Sequence, residues 1–137
     1  LRGHKIDKIE SFPIIMSDQV ESVTKSKELY KILESLHVSQ DVSRLEDRLK
    51  RRSGKTRLRG RNTKVGKSIL FVVKDSKHLS KAAGSIPGVD VVEARNLSVI
   101  HLAPGARPAR LTAFSKGAID ELAKLKSPHL ELMVAMQ

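Results

Sequence analysis

The chain has 137 residues and a net charge of +11, and it contains no cysteine or tryptophan. That length suits one domain with a core burying roughly two-thirds of the unfolded surface. The missing thiols exclude disulfides, thiolate zinc sites and cysteine nucleophiles, while Phe12, Phe71, Phe114 and Tyr30 are too few for an aromatic base-stacking platform.

In chain order, the apolar run Ser11–Ser17 (SFPIIMS) predicts a buried strand. Asp18 and Glu21 have capping-box spacing, and Val20, Val23, Tyr30, Leu33 and Leu36 recur at helical spacing, so 18–36 is expected as one amphipathic helix. Ser43 and Glu46 repeat the capping pattern, and Val42, Leu45 and Leu49 share a face of a second helix over about 40–52. Next comes SGKTRLRGRNTKVG, three glycines and almost nothing apolar, which is expected as an extended loop that orders on its partner.

Ser68–Val73 (SILFVV) lacks alternation, as a strand covered on both faces does. A short helix over Lys77–Ser85, a strand over Val89–Val92, a short helix over Asn96–Leu102 and a strand over Arg110–Phe114 follow. Ser115 then caps a helix at about 116–125, with Ile119, Leu122, Ala123 and Leu125 as its buried stripe. The apolar LELMVAM stretch beyond Ser127 is expected to dock on the body or on a partner. Alternating strands and helices make the expected fold α/β: an open, mostly parallel sheet of about four strands with flanking helices and an extended basic loop, in one domain over 1–137. The first residue is Leu1, which suggests a processed chain or a fragment of a longer one.

The distribution of charge carries the functional argument. Residues 48–67 hold ten Lys or Arg and no acid, whereas the other 117 hold 16 basic and 15 acidic side chains. One segment thus holds nearly all the excess, which points to a polyanion. Arginine is planar and bidentate and suits phosphate, and the interspersed glycines allow close approach to a groove. The candidate contacts are Arg48, Lys50, Arg51, Arg52, Lys55, Arg57, Arg59, Arg61, Lys64 and Lys67. Arg107 and Arg110, either side of Pro108, form a second candidate phosphate contact, with ordinary surface arginines as the alternative.

Other chemistries fare worse. Gly54-Lys55-Thr56 resembles the end of a P-loop, but position 49 is Leu rather than the required glycine and a helix rather than a strand precedes it. Asp18 and Asp75 follow apolar strands, where parallel sheets place their sites, yet aspartate there commonly caps a helix or a turn. His4, His37, His78, His101 and His129 show no metal-ligand spacing. An enzyme is therefore not expected, nor a cofactor, metal, small-molecule substrate or membrane partner. An RNA-modifying or nucleotide-dependent enzyme on a doubly wound fold, and a general DNA- or RNA-binding protein, stand as alternatives.

RRSGKTRLRGRNTKVGKSILFVV (51–73), IPGVDVVEARNLSVIHLAPG (86–105) and RLTAFSKGAIDEL (110–122), with FPIIMSD near the start, resemble in order the second half of the universal large-subunit ribosomal protein L four family in its archaeal form. The resemblance implies an α/β domain that binds ribosomal RNA, supports subunit assembly and translation, contacts neighbouring ribosomal proteins and resides on the cytoplasmic ribosome. It implies that the basic segment holds the rRNA contacts. The family's exit-tunnel loop matches no residue here, and its first strand would be missing, leaving four. Ala109 departs from the family's usual glycine, which bears on the local turn.

Overall fold

The run at 68–73 supplies the central strand of a four-stranded sheet. A computed structural model describes residues 2–6, 9 and 11–125; the LELMVAM stretch and His129 lie outside the described residues. The sheet strands are β1 (Ile14–Met16), β4 (Leu70–Val73), β5 (Asp90–Glu93) and β6 (Thr112–Ser115). Their order is β1-β6-β4-β5 and every pairing is parallel, with Phe71 opposite both Ala113 and Val91. The expected α/β class and four-stranded parallel sheet are therefore what the chain adopts.

Side chains alternate between the two faces of a strand, so an unbroken apolar strand needs cover on both. Phe71 and Val73 pack with Leu29 and Leu33 of α1 (Ser26–Ser35), Val42 of α2 (Ser39–Asp47) and Leu79 of α4 (Leu79–Ala83). Leu70 and Val72 face the other way, onto Ala94, and Ala118 and Leu122 of α6 (Lys116–Lys124). All four residues of β4 are fully buried.

Several boundaries differ from the sequence expectation, each for a local reason. The single helix over 18–36 is a 3₁₀ turn at Asp18–Ser22, an extended link, and then α1. Asp18 and Glu21 do not form a capping box. Asp18 Oδ1 accepts the Gly117 N–H at 2.7 Å. Glu21 Oε1 accepts the Lys74 N–H at 2.8 Å and the Ser115 hydroxyl at 2.6 Å, while Oε2 accepts the Asp75 N–H at 3.1 Å. Charge-assisted bonds to N–H groups at the strand ends outweigh a local cap, and β-branched Val23 and Thr24 favour the extended link.

The second helix starts at Ser39 and stops at Asp47 rather than near 52. Ser43 lies inside it and donates to the Ser39 carbonyl, so the second capping box is absent too. Beyond Asp47 the next turn offers only exposed Arg48, Leu49 and Lys50, so continuing the helix would bury nothing. Ser115 does cap α6, accepting the Ala118 N–H at 3.1 Å. The buried stripe there runs through Ala118 and Leu122, and Ile119, Ala123 and Leu125 lie exposed. The Asn96–Leu102 helix is two short turns, Ala94–Asn96 and α5 (Val99–Leu102).

Candidate nucleic-acid interface

Residues 48–67 are not an extended loop. Lys50–Arg51 (β2) pairs antiparallel with Thr63–Lys64 (β3), and the Arg52 N–H adds a bond to the Asn62 carbonyl at 2.8 Å. One helical turn, α3 (Lys55–Leu58), closes the hairpin at its tip. Backbone pairing thus gives a segment without a core face of its own a defined shape. The tip position also disposes of the P-loop reading, because Gly54-Lys55-Thr56 follows the first strand of the hairpin and not a strand of the parallel sheet.

Nine of the ten basic residues in this segment are exposed and Arg52 is half-buried. Among the described residues only Lys67 has an acidic partner, Asp90, with Nζ 2.8 Å from Oδ2. The other nine charges, all exposed except half-buried Arg52, have no carboxylate to neutralise them among the described residues.

Arg110 goes elsewhere. It is buried, its Nε donates to the Ser68 carbonyl at 2.9 Å, Nη1 to the His101 carbonyl at 3.1 Å and Nη2 to Asp90 Oδ2 at 2.6 Å. A guanidinium buried this way, with Nε and both Nη atoms bonded inside the fold, is turned away from any phosphate outside it. Arg110 is accordingly corrected from a candidate RNA contact to an internal tie between β4, β5 and the segment before β6. Burial pushes the Asp90 carboxyl up, but the hydrogen bonds and charges of Lys67 and Arg110 win and hold it below the usual range. Arg107, by contrast, is exposed.

Tertiary structure adds cations that no local pattern joins to the hairpin. Its base opens on a cleft of about 480 Å³. The end of α2 contributes Arg44 and Arg48, the hairpin base Lys50 and Lys64, and Lys67 follows. Arg2 and Arg107 complete the lining, and among the described residues no acidic side chain lines the cleft. Arg44 lies four residues before the basic segment, whereas nothing near Arg2 signalled it. Arg2 donates to the carbonyls of Pro104 and Arg107, which ties the N-terminal segment to the loop before β6.

Asp41 anchors this side of the molecule. It is fully buried, and its Oδ1 lies 2.8 Å from Arg44 Nη2. Oδ2 accepts the Ser68 hydroxyl at 2.6 Å and lies 2.9 Å from His4 Nδ1. Burial raises the Asp41 carboxyl, but the hydrogen bonds from His4 and Ser68, with the charges of His4 and Arg44, bring it below its ordinary value.

The remaining candidates are accounted for structurally. Asp18 and Glu21 accept strand-end N–H groups, and Asp75 Oδ1 accepts the Lys77 N–H at 3.0 Å. His101 and Ser98 cap α5 reciprocally. Among the described residues no group of three or more His, Cys, Asp or Glu could hold a metal ion, and no helix is long and apolar enough to cross a membrane.

The family model described as "Ribosomal protein L4/L1 family" matches residues 4–125. The chain belongs to this family. Among curated relatives, "Large ribosomal subunit protein uL4" of Sulfurisphaera tokodaii is 50% identical over 124 residues, which is 90% of this chain and 46% of the relative. The protein of the same name from Methanococcus aeolicus is 42% identical, over 90% of this chain and 49% of its own. That of Methanopyrus kandleri is 41% identical, over 88% and 46%. The chain thus spans about half the length of the L4/L1-family relatives it matches, and those three come from archaeal genera, as the resemblance in sequence implied.

Proposed function

We propose that this chain is a non-catalytic, structural constituent of the large ribosomal subunit that binds ribosomal RNA through the basic hairpin 48–67. On this reading it supports subunit assembly and translation at the cytoplasmic ribosome, beside neighbouring ribosomal proteins. The observation that carries the reading is the hairpin itself: nine cations on or flanking a short paired ladder and its helical tip, outside the core, with no acidic partner among the described residues. A surface charge run normally mixes signs, and one that does not repels itself until a polyanion replaces its counterions. Membership of the L4/L1 family supports ribosomal RNA as that polyanion.

Filter binding of the whole chain to large-subunit rRNA tests this. If about six hairpin charges meet phosphates, affinity falls on the order of 10³-fold between 50 and 200 mM salt. Replacing the hairpin cations with glutamine should weaken binding and flatten that dependence. Unchanged affinity after neutralisation refutes the proposal, and equal affinity for duplex DNA at matched salt favours a general polyanion binder.

A further inference from the structure

The cleft at the hairpin base differs in kind from the hairpin surface. Its cations come from four parts of the chain: the N-terminal segment, the end of α2, the hairpin base with the adjoining Lys67, and the loop before β6. Two of them are already neutralised, Arg44 by Asp41 at 2.8 Å and Lys67 by Asp90 at 2.8 Å. Arg2, Arg48, Lys50, Lys64 and Arg107 have no ion pair among the described residues, yet they line one concavity of about 480 Å³. That size lies within the range of about 300–1,000 Å³ usual for ligand sites.

Converging cations is unfavourable unless an anion fills the space, and here the fold fixes two of them, Arg44 and Arg2, at the floor of the arrangement. Arg44 is more than nine-tenths buried, is fixed by Asp41, and keeps an Nε with no hydrogen-bond partner among the described residues. Arg2 is held against the 104–107 loop by two carbonyls. These two are preorganised, so binding to them spends little side-chain entropy, whereas no side-chain bond among the described residues fixes the exposed arginines of the hairpin tip.

We propose that this cleft is a built phosphate site that seats a short run of RNA backbone, at least two consecutive phosphodiesters, separately from whatever the hairpin tip contacts. One diester would leave most of the five uncompensated cations unmatched, and arginine can take each phosphate in bidentate fashion. The proposal rests on the RNA reading only for the source of the phosphates.

The test uses the whole 137-residue chain with nitrogen-15 labelling, titrated with tetrauridylate, uridine and inorganic phosphate. Tetrauridylate should shift the side-chain signals of Arg44, Arg48 and Arg107. An Arg107→Gln/Lys64→Gln variant should bind it at least tenfold more weakly, with an unchanged melting temperature because both side chains are exposed. Lys27→Gln/Lys31→Gln, two exposed lysines on α1, removes the same charge and should stay within twofold. Equal loss in both variants, or shifts confined to the hairpin tip, overturns the proposal in favour of diffuse attraction. Inorganic phosphate binding as tightly as tetrauridylate overturns the RNA backbone as ligand. Full-length rRNA binding separates the two readings. Affinity lost on neutralising the tip residues Lys55, Arg57, Arg59 and Arg61 but untouched by the cleft variant sinks the cleft alone, whereas tetrauridylate seated in the cleft beside a dispensable tip sinks the hairpin reading alone.

Discussion

Replacing Arg110 with methionine separates a cation that holds the fold from one that meets RNA. Methionine keeps much of the stem's volume and removes the charge and every donor. The carbonyls of Ser68 and His101 lose bonds of 2.9 and 3.1 Å, and Asp90 loses its 2.6 Å partner. Breaking a buried ion pair by removing one member costs about 3–5 kcal/mol. Asp90 is 32% exposed and keeps Lys67, so its residual penalty is small and the lower end applies, about 3 kcal/mol. For a domain of this size each kcal/mol shifts the melting temperature by about 4 °C, so a drop of about 12 °C is expected. Circular-dichroism melting of the whole chain measures it, with Arg107→Met as the exposed comparison, expected to change by less than about 2 °C. The RNA salt slope of Arg110→Met, taken well below its melting point, should match that of the parent. A melting temperature within about 2 °C of the parent, together with a slope reduced by about one, refutes the internal role.

Three further substitutions probe the packing around the cleft and the hairpin base. Asp41→Asn should destabilise by about 3–5 kcal/mol, read from urea midpoints at pH 7, because Arg44 is left buried without its counter-charge. The Asp41 carboxyl is held below its ordinary value when folded, so its contribution is present above the unfolded value near 4 and is lost as pH falls from about 5 through the lower folded value. The acid limb of stability should therefore be shallower in Asp41→Asn, and an identical limb in both proteins contradicts the anchor role. Ala109→Gly should stabilise by about 0.5–1 kcal/mol in the same assay, since Ala109 sits at φ +65°, a conformation that costs an L-residue about 1–2 kcal/mol and glycine almost nothing. Gly88→Ala should cost about 1–3 kcal/mol for overpacking, plus about 1 for its φ of +79°. Its Cβ would lie 2.8 Å from the backbone carbonyl of Gly66 and 2.3 Å from Leu45 Cδ1, and a neutral result would mean that the hairpin base yields freely.

The Ala109 case links sequence to structure directly. The resemblance implies glycine at that position, and the turn there proves to need left-handed backbone, which alanine occupies at a cost. The inaccurate expectations share one cause. The Asp18 and Glu21 spacing fits a local cap as well as it fits acceptance of N–H groups just beyond β4 and in the first turn of α6, and only the closed sheet supplies those competing donors. Likewise Arg110 beside Pro108 looks like any loop arginine until β4 and β5 place carbonyls and Asp90 around it.

What the residues determined alone was whatever depends on short-range pattern: the strand class, because an unbroken apolar run needs cover on both faces, and the hairpin's charge, because ten cations within 20 positions remain close in any conformation. What only tertiary structure decided was which charges are available. Packing buried Arg110 and paired Lys67, and it carried Arg2 and Arg107 to the hairpin base from positions far away in the chain. Solvent exposure and long-range proximity are properties of the closed fold, and side-chain spacing along the chain does not encode them.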